Sequence, residues 1–190
     1  MGIVKAALDG GGNSYWNKGT NAYNAIVATV RKACENALAN GYDKVEIMGV
    51  MYLQGESNTV TDSSNAANSF LTFLDNLQGD LARDGVDTGP LAAHQAILGG
   101  QAKWGTTNVT NAETGDVTGG FNGNEGSSGT TRDQQEALAR ANDNMGWVPT
   151  RDLAKITSGD NMGVHYDGKS QITIGARYAY EAARLAGYDT

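Results

Sequence analysis

At 190 residues, the chain is long enough to bury one hydrophobic core and short for two. Its net charge of −7 argues against nucleic acid or an anionic membrane as a partner, because the field of the protein would repel either one. Cys34 is the single cysteine, which excludes an intrachain disulfide and a metal site built on paired thiolates. We therefore expect one soluble domain over 1–190 with a neutral substrate.

Apolar, strand-like segments alternate with helical patterns along the chain. The predicted strands are 3–8, 45–53, 91–98 and 147–148, and the predicted helices are 21–39, 63–83, 131–145 and 170–186. The strand at 45–53 is apolar on both sides, as expected for a strand that helices cover on two faces. This alternation predicts right-handed crossovers and a mainly parallel sheet, which is an α/β fold.

The segment 99–130 interrupts the alternation. It is rich in Gly, Asn, Thr and Ser, and Trp104 and Phe121 are its isolated aromatic residues. A loop of this length inside a compact domain is usually functional or mobile. Two interpretations stay open, a flap that faces the substrate and a solvated insertion without a role.

The chain has two histidines, so a histidine-dependent mechanism has two candidates. His94 lies in an apolar predicted strand and is interpreted as a structural residue. His165 lies in a Gly-containing loop before the last predicted helix, where a general base can be exposed and yet held. Asp160 is its natural partner, because a carboxylate there can fix the imidazole tautomer and stabilise the imidazolium. Asp167 competes for this role, but its position favours a helix N-cap.

A second group of candidates follows the predicted strand at 45–53, in the block Gln54-Gly55-Glu56-Ser57. A side-chain amide at a strand end can donate to a developing oxyanion, which makes Gln54 a candidate stabiliser. Glu56 is either an acid or base or, as we favour, a residue that braces loops through hydrogen bonds. Backbone N–H groups of Gly10 and Gly11, after the first predicted strand, are further candidate donors, although such turns also bind phosphates or simply turn.

These blocks resemble the carbohydrate acetylesterases of the SGNH-hydrolase superfamily, in particular the branch with the acetylxylan esterases of carbohydrate esterase family 6 and the sialate O-acetylesterases. The matching motifs are Asp9-Gly10-Gly11 with Trp16 and Tyr23, Tyr52 to Ser57, Asp160 to His165, Ser170-Gln171 and Gly175-Ala176-Arg177. The resemblance covers about 3–183. It implies a three-layer α/β/α, flavodoxin-like sheet, removal of acetyl groups from sugar hydroxyls, no metal or organic cofactor, and a secreted or periplasmic location.

The resemblance also implies roles for individual residues. In such enzymes a Ser attacks the ester carbonyl, a His takes its proton, an Asp orients the His, and a Gly N–H with a side-chain amide holds the oxyanion. By motif, His165 is the base, Asp160 the orienting acid, Gly10 or Gly11 the backbone donor and Gln54 the side-chain donor.

Two departures from the family pattern stand out. The acid normally precedes the His by three residues, but Met162 occupies that position here and Asp160 is displaced by two. The block Gly-Gln-Ser-Asn, which carries the nucleophile on the first strand of the family, is absent. We therefore expect a missing N-terminal strand, with unpaired sheet edges beside it that favour association with another chain or segment.

Three explanations for the nucleophile remain open at this stage. The serine comes from another segment or chain, or Ser14 or Ser57 replaces it, or the protein is a catalytically silent relative that binds glycans. A replacement serine would have to lie about 2.6 to 3.2 Å from the His165 ring.

Overall fold

The computed structural model describes residues 2–8, 10–55, 57–58, 60–83, 96–99, 125–150, 152–156 and 165–188. After a 3₁₀ turn at Asn13–Trp16, the elements are α1 Asn21–Ala39, β1 Val50–Tyr52, α2 Val60–Ser64, α3 Ala66–Arg83, β2 Ala96–Gly99, α4 Glu125–Arg140, β3 Met145–Val148 and α5 Gly168–Leu185. Helices and strands alternate in this order, so the described chain has an α/β fold.

The three described strands form one parallel sheet in the order β1-β2-β3. Val50 pairs with Ala96, and Ala96 pairs with Met145, so the strands start in register. Because all three point the same way, their carboxyl ends lie at one edge of the sheet. Gln54 and Thr150 follow β1 and β3 at that edge.

Two hydrophobic cores meet at β3. The larger one is built mainly from α1 and α3, with the side chains of Tyr23, Phe70 and Leu74 almost fully buried, and it includes Met145. The smaller one contains Val148 and Ile174 of α5. Side chains alternate along a strand, so β3 contacts one core on each side.

A buried carboxylate joins α1 to α3. Asp80 accepts hydrogen bonds from the Lys18 ammonium at 2.7 Å, the Tyr23 hydroxyl at 2.7 Å and the Arg83 guanidinium at 3.0 Å. These bonds, led by that of Lys18, hold the pKa of Asp80 below its ordinary value. Burial, together with the hydrogen bond to Asp80, raises the pKa of Tyr23 far above the usual range, so its hydroxyl stays protonated and donates.

The predicted helices agree with the structure better than the predicted strands do. Helix α1 has the predicted bounds, and Thr20 caps it by accepting a hydrogen bond from the Tyr23 amide at 3.2 Å. The helix predicted over 63–83 is divided in two at Asn65, whose carbonyl accepts the first bond of α3 from Ser69 at 2.9 Å. Asn favours this N-cap position, which explains the break.

Three other predicted boundaries need correction. Residues 3–8 form no strand, and Ile3 is 78% exposed; in the described part of the chain no strand lies beside them to pair with their backbone groups. β1 is limited to the three residues that pair with β2. Helix α4 begins at Glu125, inside the segment expected to be loop, and ends at Arg140, since Asn142 and Asp143 start the turn into β3.

Candidate active site

Gln54 is held from three directions at the carboxyl end of β1. Its side-chain Oε1 accepts from the Trp16 indole at 2.9 Å, and its Nε2 donates to the Gly11 carbonyl at 2.5 Å. Its backbone carbonyl accepts from the Gln135 side chain of α4 at 2.8 Å. Gln54 and Gly11, predicted separately as oxyanion donors, therefore lie in direct contact. Gly11 belongs to the Gly turn, which consists of Gly10, Gly11 and Gly12.

The glycine turn is packed tightly against its surroundings. Gly10 has a φ of +67°, which a side chain would disfavour, and Gly11 and Gly12 are buried. A Cβ on Gly11 would lie 2.8 Å from the Tyr15 ring, and one on Gly12 would lie 3.2 Å from the Ser57 carbonyl. A side chain at Gly11 would force the Tyr15 ring to move, and one at Gly12 would push against Asp62 and the loop that follows β1.

A buried polar network lies beneath this turn. The Asn13 amide donates to Asn58 Oδ1 at 2.8 Å, and Asn58 Nδ2 donates to the Thr131 hydroxyl at 3.0 Å. Thr131 in turn donates to the Ser63 hydroxyl at 3.0 Å, and the Tyr52 hydroxyl donates to Asn13 Oδ1 at 3.2 Å. The network joins the 3₁₀ turn, β1, the loop after β1, α2 and α4, so these segments hold one another in place.

Helix α5 contacts the site from the other side of the sheet. The Tyr178 hydroxyl donates to the Tyr52 carbonyl at 2.9 Å. Arg177 donates to the carbonyl of Pro149, after β3, at 2.5 Å, and Arg184 donates toward that of Met145, at the start of β3, at 3.5 Å. α5 therefore runs antiparallel to β3, and its N-terminus lies beyond the carboxyl edge of the sheet.

His165 precedes that N-terminus, so it lies at the same carboxyl edge of the sheet as Gln54. Its ring is exposed, and its carbonyl accepts from the Ile156 amide at 2.8 Å. The next residue, Tyr166, forms an antiparallel bridge with Lys155 and donates to the Thr150 hydroxyl at 2.7 Å. The backbone is therefore fixed at His165 and at the residue that follows it.

Asp167 is the N-cap of α5, as its position predicted. Its carboxylate accepts from the Ser170 amide at 2.7 Å, and this bond holds the pKa of Asp167 below its ordinary value. Asp152 has a different partner, since Arg177 binds both of its oxygens, at 2.8 and 2.5 Å. The same interaction lowers the pKa of Asp152 and raises that of Arg177.

The other predicted site residues divide into two sets. Asp160, Glu56 and His94 lie outside the described residues. Ser57 is half-buried and Ser14 is exposed in the 3₁₀ turn. Within the described ranges, neither serine makes a hydrogen bond to the His165 ring, so their roles stay predictions.

Four residues of the site were not predicted from the sequence: Asn13, Asn58, Thr131 and Gln135. Asn58 could have been predicted as a site residue, because it directly follows the Gln-Gly-Glu-Ser block. Gln135 had none, since a glutamine in a polar helix pattern is ordinarily a surface residue, yet here it is fully buried.

Neither a metal cluster nor a membrane span is found among the described residues. No group of three His, Cys, Asp or Glu side chains in those ranges is arranged to hold a metal ion. None of the described helices is long and apolar enough to cross a membrane.

A family model described as carbohydrate esterase, sialic acid-specific acetylesterase, matches residues 1–184. The chain therefore belongs to this carbohydrate esterase family. A search of curated proteins gives no match.

Among solved structures, the chain is similar to a protein from Arabidopsis thaliana, with a TM-score of 0.62 and 21% sequence identity. The similarity covers 92% of this chain and 57% of the Arabidopsis chain, so the protein spans little more than half the length of that structure. At this identity the likeness concerns the fold.

Proposed function

We propose that the protein takes part in removing O-acetyl groups from carbohydrates by a Ser-His-Asp mechanism. The observation that carries this proposal is the contact of Gln54 with both Trp16 and Gly11, at the edge of the sheet where the His165 loop also lies. Membership of a carbohydrate esterase family supports the substrate class. We further propose that the acetylated sugar is xylan or sialic acid. We also propose a three-layer, flavodoxin-like fold, and the presence of one hydrophobic core on each face of β3 supports it.

In the proposed reaction, His165 accepts the proton of a serine hydroxyl while the serine oxygen attacks the acetyl carbonyl. Asp160 orients the imidazole and stabilises its cation. The carbonyl oxygen becomes negative and is held by backbone N–H groups of Gly10 or Gly11 and by the Gln54 amide. His165 then returns the proton to the departing sugar hydroxyl, and water releases the acetyl group by the same steps. Glu56 and Ser57 support the loop.

The serine is the open element of this proposal. We propose that it comes from a segment or chain that also fills the sheet position beside β1, with Ser14 and Ser57 as the local alternatives. A catalytically silent relative that binds glycans is the competing function.

The first prediction tests the base. A His165→Ala protein is expected to lose hydrolysis of a small aryl acetate, because no other described side chain takes the proton in this mechanism. Initial rates are compared with wild type and with Lys169→Ala, an exposed residue on the first turn of α5. Unchanged turnover in His165→Ala would remove the imidazole from the mechanism.

The second prediction separates the enzyme from the silent relative. Labelling of the purified chain by a fluorophosphonate requires an activated serine. Rapid labelling, followed by peptide mapping to Ser14 or Ser57, would identify a local nucleophile. No labelling would exclude Ser14 and Ser57 as the nucleophile, and calorimetric binding of an acetylated oligosaccharide would then favour the silent relative or a serine from another segment over a local nucleophile.

A further inference from the structure

We propose that Trp16 is a positioning residue that fixes the orientation of the Gln54 amide, so that one N–H of this amide points to the acyl oxygen. The inference rests on the proposed esterase function. It assigns to Trp16 a task in the reaction that is separate from its place in the core.

The chemistry of the two side chains determines which end of the amide faces the indole. An indole N–H only donates, so the atom 2.9 Å from Trp16 Nε1 has to be an acceptor, the oxygen of Gln54. The opposite orientation would place an NH₂ group against an N–H group. The Gly11 carbonyl only accepts, so it requires the same orientation, and Trp16 adds a second bond that holds the amide in it.

Once Oε1 accepts from Trp16, one hydrogen of the Gln54 amide nitrogen is left without a partner among the described residues. Gln54 Nε2 carries two hydrogens, and one of them is used in the bond to the Gly11 carbonyl. Within the described chain Nε2 makes no second hydrogen bond, and Gln54 is half-buried and thus within reach of a ligand. The remaining hydrogen is available to a developing oxyanion.

Trp16 and Gln54 are both held in place by buried residues. Trp16 is 9% exposed and belongs to the main core, and the backbone of Gln54 is held by the buried Gln135. A donor that is already oriented before the reaction stabilises transition-state charge without reorganising. The indole N–H therefore acts on catalysis through Gln54 and does not itself touch the substrate.

Trp16→Phe is the direct test, because it keeps an aromatic ring and removes the N–H. We expect kcat for an aryl acetate to fall by about two- to tenfold with little change in KM, as expected for the loss of one neutral hydrogen bond. Trp147→Phe is the matched control, since Trp147 packs against the same core without contacting Gln54 and should leave kcat unchanged. Equal kcat in Trp16→Phe and wild type, or a change confined to KM, would overturn the inference.

Nuclear magnetic resonance gives a readout that does not depend on turnover. In wild type, the Gln54 side-chain amide should exchange slowly with solvent, and in Trp16→Phe its signals should shift and exchange faster. If the wild-type chain hydrolyses no ester by itself, a local nucleophile is excluded, while these signals still decide whether Trp16 holds the amide. Unmoved Gln54 signals in Trp16→Phe would contradict the inference, whatever the rate.

A reciprocal variant covers the case in which Trp16→Phe does not fold. In Gln54→Ala the Trp16 indole N–H loses its acceptor, so its resonance should move and its exchange with solvent should accelerate. An indole signal at the wild-type position would show that the bond is not formed, and the inference would fall.

Discussion

A side-chain amide is an effective oxyanion donor only when its oxygen and nitrogen cannot exchange positions and the side chain cannot adopt another rotamer. Gln54 satisfies this condition because its oxygen, its nitrogen and its backbone carbonyl are bonded to three different segments. Those segments are the 3₁₀ turn, the Gly turn and α4. The site thus depends on residues that are distant in sequence and individually ordinary.

Gln54 itself gives the third prediction. Gln54→Ala should lower kcat by roughly 10²- to 10³-fold, as is typical for removal of an oxyanion donor. Gln54→Glu is the informative companion, because it can still accept from Trp16 but cannot donate to the oxyanion and should lose at least as much. Retained activity in Gln54→Glu would show that the amide N–H is not needed.

The tight packing at Gly12 leads to the fourth prediction. A methyl group there lies 3.2 Å from the Ser57 carbonyl and 3.1 Å from Asp62 Oδ2, so Gly12→Ala should destabilise the fold by about 1–3 kcal/mol. Gly79→Ala makes the same change in α3 with nothing within 4 Å, and should instead stabilise by about 0.5–1 kcal/mol. Urea unfolding measures both; equal effects at the two positions would contradict the packing argument.

Part of this site was predictable from the sequence, and the reason differs from residue to residue. Gln54 follows the apolar segment that contains β1, so a local pattern correctly placed it at a strand end, whereas the segment before Gly11 forms no strand. Asn58 and Gln135 act through partners more than 70 residues away, Thr131 and Gln54. No local pattern specifies such a partner, because it depends on how α4 docks.

At the scale of elements, the bounds of the helices were more predictable than those of the strands, although β1, β2 and β3 each overlap a predicted strand. The bounds of α1 follow from its own signals, Thr20 before it and Asn40-Gly41 after it. Residues 3–8 have strand-like composition, yet they are exposed and form no strand. A helix satisfies its backbone groups internally, whereas a strand needs a neighbour that the local sequence does not encode.

The link between α1 and α3 gives the fifth prediction. Because the pKa of Asp80 is lowered in the folded protein, its stabilising effect is present above the unfolded value of about 3.9 and is lost as the pH falls through the folded value. Asp80→Asn should therefore reduce stability at pH 7, by about 1–3 kcal/mol for lost charged hydrogen bonds, and by less at pH 3.

Chemical denaturation at the two pH values measures this difference. Asp43→Asn serves as the control, since Asp43 is exposed and should change stability little at either pH. An Asp80→Asn deficit of the same size at pH 3 and pH 7 would show that packing, and not the charge of the carboxylate, links the two helices.

At the scale of the whole molecule, the buried Cys34 reports on opening of the main core. Cys34 is 7% exposed, and burial raises the pKa of its thiol. Both effects oppose attack by the thiolate on a disulfide reagent. The native protein should therefore react slowly.

Reaction with a chromogenic disulfide reagent should accelerate in urea along the same transition as circular dichroism. The double variant Cys34→Ala/Ala28→Cys carries an exposed cysteine on the same helix and should react rapidly without urea. Rapid labelling of native Cys34 would mean that α1 opens separately from the rest of the core.

The bond between the Tyr178 hydroxyl and the Tyr52 carbonyl spans 126 residues. During synthesis on a ribosome, the segment that carries Tyr52 emerges long before Tyr178 does, so this bond forms only when nearly the whole chain has been translated. Nascent chains stopped before residue 178 should therefore lack this link between α5 and β1. Maturation of the protein is thus coupled to completion of its C-terminal region.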